Sequence, residues 1–307
     1  MGAPPTLWQN EVMPRAHANG IELEYETFGS PGDRPLLLLR GLGTQMIHWD
    51  PRLCEQIAGG GHQLVIFDNR DVGLSTHFEA AGSPDLGAIV RALQAGEEPD
   101  VAYRLSDMAS DVVGLMDALG FESAHIAGIS MGGMIVQQVA IDHPDRVRSL
   151  TSVMSSTGEP GLPGPTPEAQ VALSSPAPRE RGAYIDQNVA NQRVFTGDGF
   201  PFDEEARREL AGRAFDRAFD PEGVVRQMAA IVASGSRHEA LSKVRIPSLV
   251  VHGRSDPLVP FEGGEATARA IPGAHFMPIE GMGHDLPEGT WSQWVPALAA
   301  HTLAAEG

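Results

Sequence analysis

The sequence predicts an α/β protein with a mostly parallel sheet, helices on both faces and a mainly helical cap inserted into it. Short apolar runs alternate with longer amphipathic segments from residue 21 to residue 154, a pattern typical of parallel strands joined by crossover helices. The alternation stops at about residue 155 and resumes at about residue 246. We therefore expect residues 1–154 and 241–307 to form the core, and residues 155–240 to form the cap.

The elements of the first half follow from local patterns. Ile21–Phe28 alternates between apolar and polar side chains and predicts a half-buried strand, and the Asn19-Gly20 pair before it predicts a hairpin with residues 15–18. The four leucines at 36–39 predict a buried strand. Further along we expect a helix near 49–58, a strand at 63–68, an amphipathic helix at 105–119, a strand at 124–129, a helix at 131–143 and a strand at 147–154.

The second half begins with a change in composition. Residues 155–178 are rich in proline and glycine, which disfavours a core strand or a long helix. Residues 204–219 and 221–234 then predict two helices, with Asp203 and Asp220 as their N-caps. Strands are expected again at 246–253 and 276–279. A helical cap over the strand ends would exclude water from a site there and shape its specificity.

Composition narrows the range of partners and compartments. The chain has 22 basic and 40 acidic residues, a net charge of −18, which argues against nucleic acid or an anionic membrane as a partner. Cys54 is the only cysteine, so no intrachain disulfide is possible. The N-terminus shows no secretory signal and no apolar run could span a bilayer. We therefore expect a cytoplasmic protein; its oligomeric state is left open.

The most informative motif is Gly128-Ile129-Ser130-Met131-Gly132, which reads G-x-S-x-G. An apolar run of strand length precedes it and a segment long enough for a helix follows it. A strand, a sharp turn with serine at its apex and a helix together make a nucleophile elbow. Glycine on either side of the turn avoids a side-chain clash. Ser130 is therefore predicted to be a nucleophile.

The partners of a serine nucleophile are expected downstream, an acid first and then a histidine. Asp256 follows the predicted strand at 246–253, and His284 follows the one at 276–279. Because loops after parallel strands meet at one edge of a sheet, both can reach Ser130. His284 would take the serine proton and return it to the leaving group, while Asp256 would orient the imidazole and stabilise its charged form. No metal-ligand cluster is evident, and we expect no cofactor.

The oxyanion of an acyl-transfer reaction needs hydrogen-bond donors. The N–H of Met131, directly after the nucleophile, is one candidate. The second is the N–H of Leu42, in the loop after the leucine strand, where Gly41 and Gly43 let the backbone approach a substrate closely. The candidates for an apolar pocket around the substrate are Met154, Phe195, Phe202 and Met282.

These motifs resemble the α/β-hydrolases over nearly the whole chain. The matching pieces are R-G-L-G at 40–43, F-D-N-R-D-V-G-L-S at 67–75, G-I-S-M-G-G at 128–133, G-R-S-D at 253–256 and G-M-G-H at 281–284. Residues 196–203 and 278–284 are similar to the capped carboxylesterases related to the anthracycline (aclacinomycin) methylesterases. The family usually has histidine where this chain has Arg40. Because the oxyanion donor is a backbone group, we expect the oxyanion hole to survive this departure.

The resemblance and the predicted triad imply a serine carboxylesterase acting on a small-molecule ester. Other enzymes with the same triad are a methylesterase of a polyketide-like ester, a cofactor-free perhydrolase and a C–C hydrolase. Dehalogenases and epoxide hydrolases of this fold use a carboxylate nucleophile, so Ser130 argues against both. A ligand receptor that keeps a vestigial triad is the alternative outside the enzymes.

Overall fold

A computed structural model of the chain describes residues 13–307. The expectation about a secretory signal concerns residues 1–12, which lie outside the described residues. Eight strands form one sheet in the order β1-β2-β4-β3-β5-β6-β7-β8, in which β2 pairs antiparallel with both β1 and β4 and all other neighbours pair parallel. The strands are β1 (Arg15–Ala18), β2 (Ile21–Phe28), β3 (Arg34–Leu39), β4 (His62–Phe67), β5 (Ala124–Ile129), β6 (Val147–Val153), β7 (Ser248–Gly253) and β8 (His275–Ile279). The predicted fold class is confirmed.

Helices cover both faces of the sheet. They are α1 (Pro51–Gly59), α2 (Leu86–Gln94), α3 (Leu105–Ala118), α4 (Met131–Asp142), α5 (Pro167–Ser174), α6 (Arg181–Phe195), α7 (Glu204–Arg217), α8 (Pro221–Ser234), α9 (His238–Leu241), α10 (Phe261–Ala270) and α11 (Glu288–Ala304). No helix within residues 13–307 combines the length and apolarity that crossing a membrane requires.

The run of leucines in β3 explains the two cores of the protein. Leu37 and Leu39 pack with α3 and α4 on one face of the sheet, whereas Leu36 and Leu38 pack with α1 and α11 on the other. Successive side chains of a strand point to opposite faces. A parallel strand covered on both faces therefore has no polar side to alternate with, and its sequence is continuously apolar.

Five helices, α5 to α9, lie between β6 and β7; we call them the helical insertion. Its two predicted helices are present, as α7 and α8, and the side chains of Asp203 and Asp220 accept hydrogen bonds from their first turns. Helices α5 and α6 were not predicted. Helix α5 is only eight residues long and begins at Pro167, where proline is well suited to the first helical position.

A buried ion pair fastens α8 to the loop after β4. Arg226 donates from Nε and Nη2 to the two carboxylate oxygens of Asp71, each at 2.8 Å, and the Tyr103 hydroxyl donates to the same carboxylate at 2.6 Å. Both charged side chains are almost wholly covered. Removing one member of such a pair leaves an unpaired buried charge, which typically costs about 3–5 kcal/mol. The helical insertion is therefore firmly attached at this point.

His77 makes a second attachment, and it does so as an imidazolium. Its Nδ1 lies 2.7 Å from the Asp220 carboxylate, and its Nε2 lies 3.0 Å from the Gly73 carbonyl oxygen. Both partners accept hydrogen bonds, so both ring nitrogens must carry protons. Burial lowers the pKa of His77, but its hydrogen bonds to Gly73 and Asp220 outweigh burial and raise the pKa above its usual value.

A pH-dependent contribution to stability follows from the raised pKa of His77. A group whose pKa is higher in the folded state stabilises that state fully below its unfolded pKa, and the contribution is lost as the pH rises through the folded pKa. We expect His77→Gln to lower the free energy of unfolding at pH 6 by about 1–3 kcal/mol, the range for charged hydrogen bonds. The deficit should shrink as the pH approaches 9.

The measurement is urea unfolding of both proteins across this pH range. His17→Gln, at an exposed histidine of β1, is the matched control and should show no such trend. An equal deficit for His77→Gln at pH 6 and pH 9 would mean that the ring is held as the neutral form.

Candidate active site

Ser130 lies in the sharp turn that the motif predicts. It is the residue between β5 and α4, and its φ of 55° and ψ of −121° are strained for a residue with a side chain. A Cβ atom on Gly128 would lie 2.2 Å from the carbonyl oxygen of Gly132, and one on Gly132 would lie 2.5 Å from that of Leu39. Only glycine fits at these two positions, so the turn requires the whole G-x-S-x-G pattern.

Loops after neighbouring strands converge on Ser130. Its backbone N–H donates to the carbonyl oxygen of Val153 at the end of β6, at 2.9 Å. Gly41, after β3, lies directly against the serine, because a Cβ atom on it would be 3.0 Å from the Ser130 Cβ and 3.4 Å from its Oγ. The loop that was predicted to supply an oxyanion donor therefore contacts the predicted nucleophile.

Side chains from two other segments hold the loop of residues 40–44 in place. The Gly43 N–H donates to Oε1 of Gln227 on α8 at 2.8 Å, and Nε2 of Gln227 donates to the Arg70 carbonyl oxygen at 2.7 Å. Asn69 donates to the Arg40 carbonyl oxygen at 3.2 Å. Gln227 is fully buried and has a polar partner at both ends. It was not identified from the sequence, where it is one of several polar residues on a predicted helix.

The two predicted oxyanion donors have no protein acceptor in residues 13–307. Met131 is the first residue of α4, so its N–H has no partner within the helix. The Leu42 N–H makes no hydrogen bond with any of the described residues, whereas its neighbour Gly43 is bonded to Gln227. Both donors are thus available to an external oxygen.

A test of the support that Gln227 gives follows from these contacts. Gln227→Leu keeps the volume but leaves the Gly43 N–H and the Arg70 carbonyl buried without partners, at about 1–3 kcal/mol each. We expect lower thermal stability and a fall of roughly tenfold in the kcat of the reaction at Ser130 as the loop loses its position. Gln170→Leu, on the exposed side of α5, is the control. An unchanged kcat for Gln227→Leu would show that the loop holds its geometry without this residue.

Asp256 and His284 meet at the same edge of the sheet. Asp256 lies in the loop after β7 and His284 in the loop after β8, and Nδ1 of His284 is 2.7 Å from Oδ2 of Asp256. The other oxygen, Oδ1, accepts from the backbone N–H groups of Leu258 and Val259 at 2.9 and 2.8 Å. The carboxylate is completely covered by protein.

The charge of Asp256 fixes the tautomer of His284. Burial by itself raises the pKa of Asp256, but the nearby imidazoles of His284 and His252 outweigh burial and hold it at about 2. The carboxylate is therefore ionised at neutral pH and accepts a hydrogen bond from the Nδ1–H group of His284. In a neutral imidazole this leaves the lone pair on Nε2, the nitrogen that a general base needs.

Backbone packing places the His284 loop. A Cβ atom on Gly253 would lie 2.1 Å from the carbonyl oxygen of Met282, and the Ser255 N–H donates to that oxygen at 3.0 Å. The His284 N–H donates at 2.8 Å to the carbonyl oxygen of Phe195, the last residue of α6. Within residues 13–307, no hydrogen bond joins the Ser130 hydroxyl to the His284 imidazole. Such bonds are often long in enzymes without substrate and tighten when it binds.

The residues predicted to line the substrate pocket do not all come together. Met154 and Met282 are covered and pack in the same core cluster, next to the loops of Ser130 and His284 in the chain. Phe195 is half-buried and contacts the His284 loop through its backbone. Phe202 instead packs in a small cluster inside the helical insertion, with Arg193 over its ring. Phe202 therefore packs in a different cluster from Met154 and Met282.

One group of side chains has the spacing of metal ligands among the described residues. It consists of Asp71, His77 and Asp220. Arg226 donates to both carboxylates, and His77 is an imidazolium with no free lone pair. The positive charges of the protein already satisfy this group, so it does not fit a metal ion.

Known proteins match this chain over most of its length. The family described as "alpha/beta hydrolase fold" matches residues 34–198, and the one described as "TAP-like protein" matches residues 229–293. The chain is similar to rhodomycin D methylesterase DauP of Streptomyces sp. strain C5, with 30% identity over 307 residues that cover 93% of this chain and 96% of the relative. It is also similar to a 2-hydroxy-6-oxononadienedioate/2-hydroxy-6-oxononatrienedioate hydrolase of Paraburkholderia phymatum, with 27% identity over 89% of this chain and 86% of that protein.

Solved structures share the fold. An esterase from Exiguobacterium antarcticum superposes with a TM-score of 0.73 at 18% identity, over 95% of this chain and all of the other. At this identity the likeness concerns the fold alone.

Proposed function

The chain belongs to the α/β-hydrolase family, and we propose that within it the protein is a serine carboxylesterase acting through an acyl-enzyme on Ser130. The observation that carries this proposal is the 2.7 Å pair of His284 with a covered, ionised Asp256, at the sheet edge where Ser130 occupies a strained turn. Strain at such a turn costs energy, and strained residues cluster at functional sites.

The proposed reaction has two halves. In the first, Ser130 Oγ attacks the ester carbonyl while its proton passes to Nε2 of His284. The negative charge on the carbonyl oxygen is stabilised by the N–H groups of Met131 and Leu42. The carbon–oxygen bond to the alcohol then breaks, and His284 returns the proton to the leaving alkoxide. In the second half, His284 takes a proton from water, the resulting hydroxide attacks the acyl carbonyl, and the acid leaves as Ser130 regains its proton. No cofactor is needed.

The helical insertion is proposed to act as a cap. Residues 155–240 would form this unit, and residues 1–154 and 241–307 the core. Contacts with three loops of the core support this role. Gln227 binds the loop of residues 40–44, Phe195 binds the loop of His284, and Arg226 pairs with Asp71 in the loop after β4. A unit that positions both catalytic loops would also exclude water during the reaction.

The ester is proposed to be a small molecule. Similarity to a rhodomycin D methylesterase favours a methyl ester on a polyketide-like acid. Similarity to a 2-hydroxy-6-oxononadienedioate hydrolase favours the second candidate, a C–C hydrolase that uses the same serine and histidine. A cytoplasmic location is part of the proposal, and the single, buried Cys54 fits a reducing compartment.

A substrate panel tests the proposal. It contains p-nitrophenyl acetate and butyrate, an anthracycline methyl ester, and a 2-hydroxy-6-oxo-dienoate. We expect turnover of the esters that is abolished by a fluorophosphonate. Turnover of the dienoate with none of the esters would replace the esterase with the C–C hydrolase. No reaction with any of them, and no labelling, would favour a receptor with a vestigial triad.

A further inference from the structure

Arg40 carries a partly buried positive charge with no partner among the described residues. Its guanidinium makes no hydrogen bond and no ion pair with any residue in 13–307, although most arginines of the protein do both. Its Nε is buried without an acceptor, and its two Nη atoms are neither bonded nor covered. A charge removed from bulk water without a counter-charge is costly, so such groups are normally paired. The structure provides the donors of a salt bridge and lacks the anion.

The neighbours of Arg40 hold it in place without neutralising it. Its guanidinium lies 4.5 Å from the ring centre of Trp49, a side chain that is only 1% exposed. Stacking of this kind fixes the plane of the guanidinium and leaves its edge free to donate. Burial, followed by the charge of Arg207 on α7, lowers the pKa of Arg40 to about 9. The group therefore remains charged at neutral pH, and a bound anion would stabilise it.

His48, close to Arg40, is an uncharged acceptor. Burial and then the charge of Arg40 lower the pKa of His48 to about 3, so its ring is neutral. Its Nδ1 is 3.0 Å from the Gln45 carbonyl oxygen, which can only accept. The proton is therefore on Nδ1, and Nε2 carries a lone pair that no described residue uses. Neither His48 nor Arg207 supplies the negative charge that Arg40 lacks.

The unpaired guanidinium belongs to the residue that begins the loop in contact with Ser130. Arg40 directly precedes Gly41, which touches the Ser130 side chain. Arg207, whose charge acts on Arg40, bonds to Asp285, the residue after His284. Asp285 bonds to Arg207 and Thr196 through Oδ2 and makes no ion pair with Arg40. A ligand held at Ser130 would therefore bind beside the loop that carries Arg40, a cation whose donors no described residue uses.

We propose that Arg40 binds a carboxylate carried by the substrate, so that the preferred esters are half-esters of dicarboxylic acids or similar acidic esters. This inference deepens the proposed function and rests on it. The protein's net charge of −18 repels an anion at long range. Salt screens that repulsion beyond about 8–10 Å, whereas a partly desolvated guanidinium acts at contact distance. Specificity for an acid would then reside in Arg40 rather than in the overall charge.

The experiment compares two esters of the same acid, monomethyl and dimethyl glutarate. The corresponding esters of succinate and adipate vary the distance between the ester and the free carboxylate. We expect the wild-type kcat/KM ratio of half-ester to diester to fall by roughly 10- to 100-fold in Arg40→Met, mainly through KM of the half-ester. Arg40→Lys keeps the charge and should recover part of the ratio. Arg91→Met, at an exposed arginine of α2, is the control and should leave the ratio unchanged.

Two outcomes would overturn the inference. One is an unchanged ratio in Arg40→Met, with or without a lower melting temperature. The other is an equal loss with both esters, which would mean that Arg40 only supports the neighbouring loop.

A binding measurement separates this inference from the proposed function. Calorimetry on Ser130→Ala should detect glutarate, and the added change Arg40→Met should weaken that binding by a similar factor. Chloride at the same ionic strength should not compete; equal binding of chloride would identify a general anion site and overturn the claim for a substrate carboxylate. Should the wild type hydrolyse neither ester, the esterase proposal fails, yet loss of glutarate binding in the Arg40 variant would still support the carboxylate site.

Discussion

Ser130→Ala is expected to lower kcat for p-nitrophenyl butyrate by roughly 10⁵- to 10⁶-fold, the scale seen when a serine nucleophile is removed from a triad. The change deletes the one atom that would attack the ester. It leaves the backbone turn intact, because Gly128 and Gly132 set that turn and because alanine is no more strained there than serine. The far-UV circular dichroism spectrum and the melting temperature should match those of the wild type.

A second serine provides the control for this experiment. Ser106 is exposed on α3, and Ser106→Ala should keep full activity. Substantial turnover by folded Ser130→Ala would remove the nucleophile from the account, and with it the two-step reaction.

Asp256→Asn is expected to lower kcat by about 10⁴-fold with little change in KM, as the corresponding exchange does in serine proteases. The amide has nearly the shape of the carboxylate and can keep its bonds to the N–H groups of Leu258 and Val259. It cannot stabilise a positive imidazole, and its carbonyl and amino groups no longer require the proton of His284 to be on Nδ1. The nitrogen facing Ser130 is then protonated in part of the molecules and cannot act as a base.

The low pKa of Asp256 limits which groups can cause a pH dependence of the activity. Its carboxylate keeps its charge down to a pH of about 2, so loss of activity between pH 5 and 7 cannot arise from this group. Because the folded pKa of Asp256 is lowered, its contribution to stability is present above the unfolded value of about 3.9 and is lost as the pH falls through the folded one.

The matched control for Asp256→Asn is Asp142→Asn, at an exposed aspartate at the end of α4. A loss below about tenfold in Asp256→Asn would point to another acid.

The sequence was most informative where the local structure permits only one type of residue. The continuous leucines of β3 are required by burial on both faces, and the glycines around Ser130 by backbone atoms 2.2–2.5 Å from any added Cβ. Ser130, Asp256 and His284 follow the parallel strands β5, β7 and β8, and the loops after such strands open at one edge of the sheet. For these reasons the fold class and the meeting of Asp256 with His284 could be derived before the structure.

What the sequence could not show depends on pairs far apart in the chain. Helix α6 buries only Ile185 and Val189 fully, so it has little apolar periodicity to detect. Gln227 supports a loop 184 positions before it, and nothing in its own helix marks it. The unpaired state of Arg40 likewise appears only when the contacts of its side chain in the folded protein are known. Phe202 is a predicted pocket residue only because its side chain is apolar, and the sequence does not show that it packs with helices of the insertion.

The most direct test of the central claim is the mass of the protein quenched during turnover of p-nitrophenyl butyrate, followed by peptide mapping. The account predicts one butyryl group per chain on the peptide that contains Ser130, its loss in Ser130→Ala, and its accumulation in Asp256→Asn if deacylation slows more than acylation. Hydrolysis that proceeds with that peptide unmodified, or with the acyl group on another residue, would contradict it.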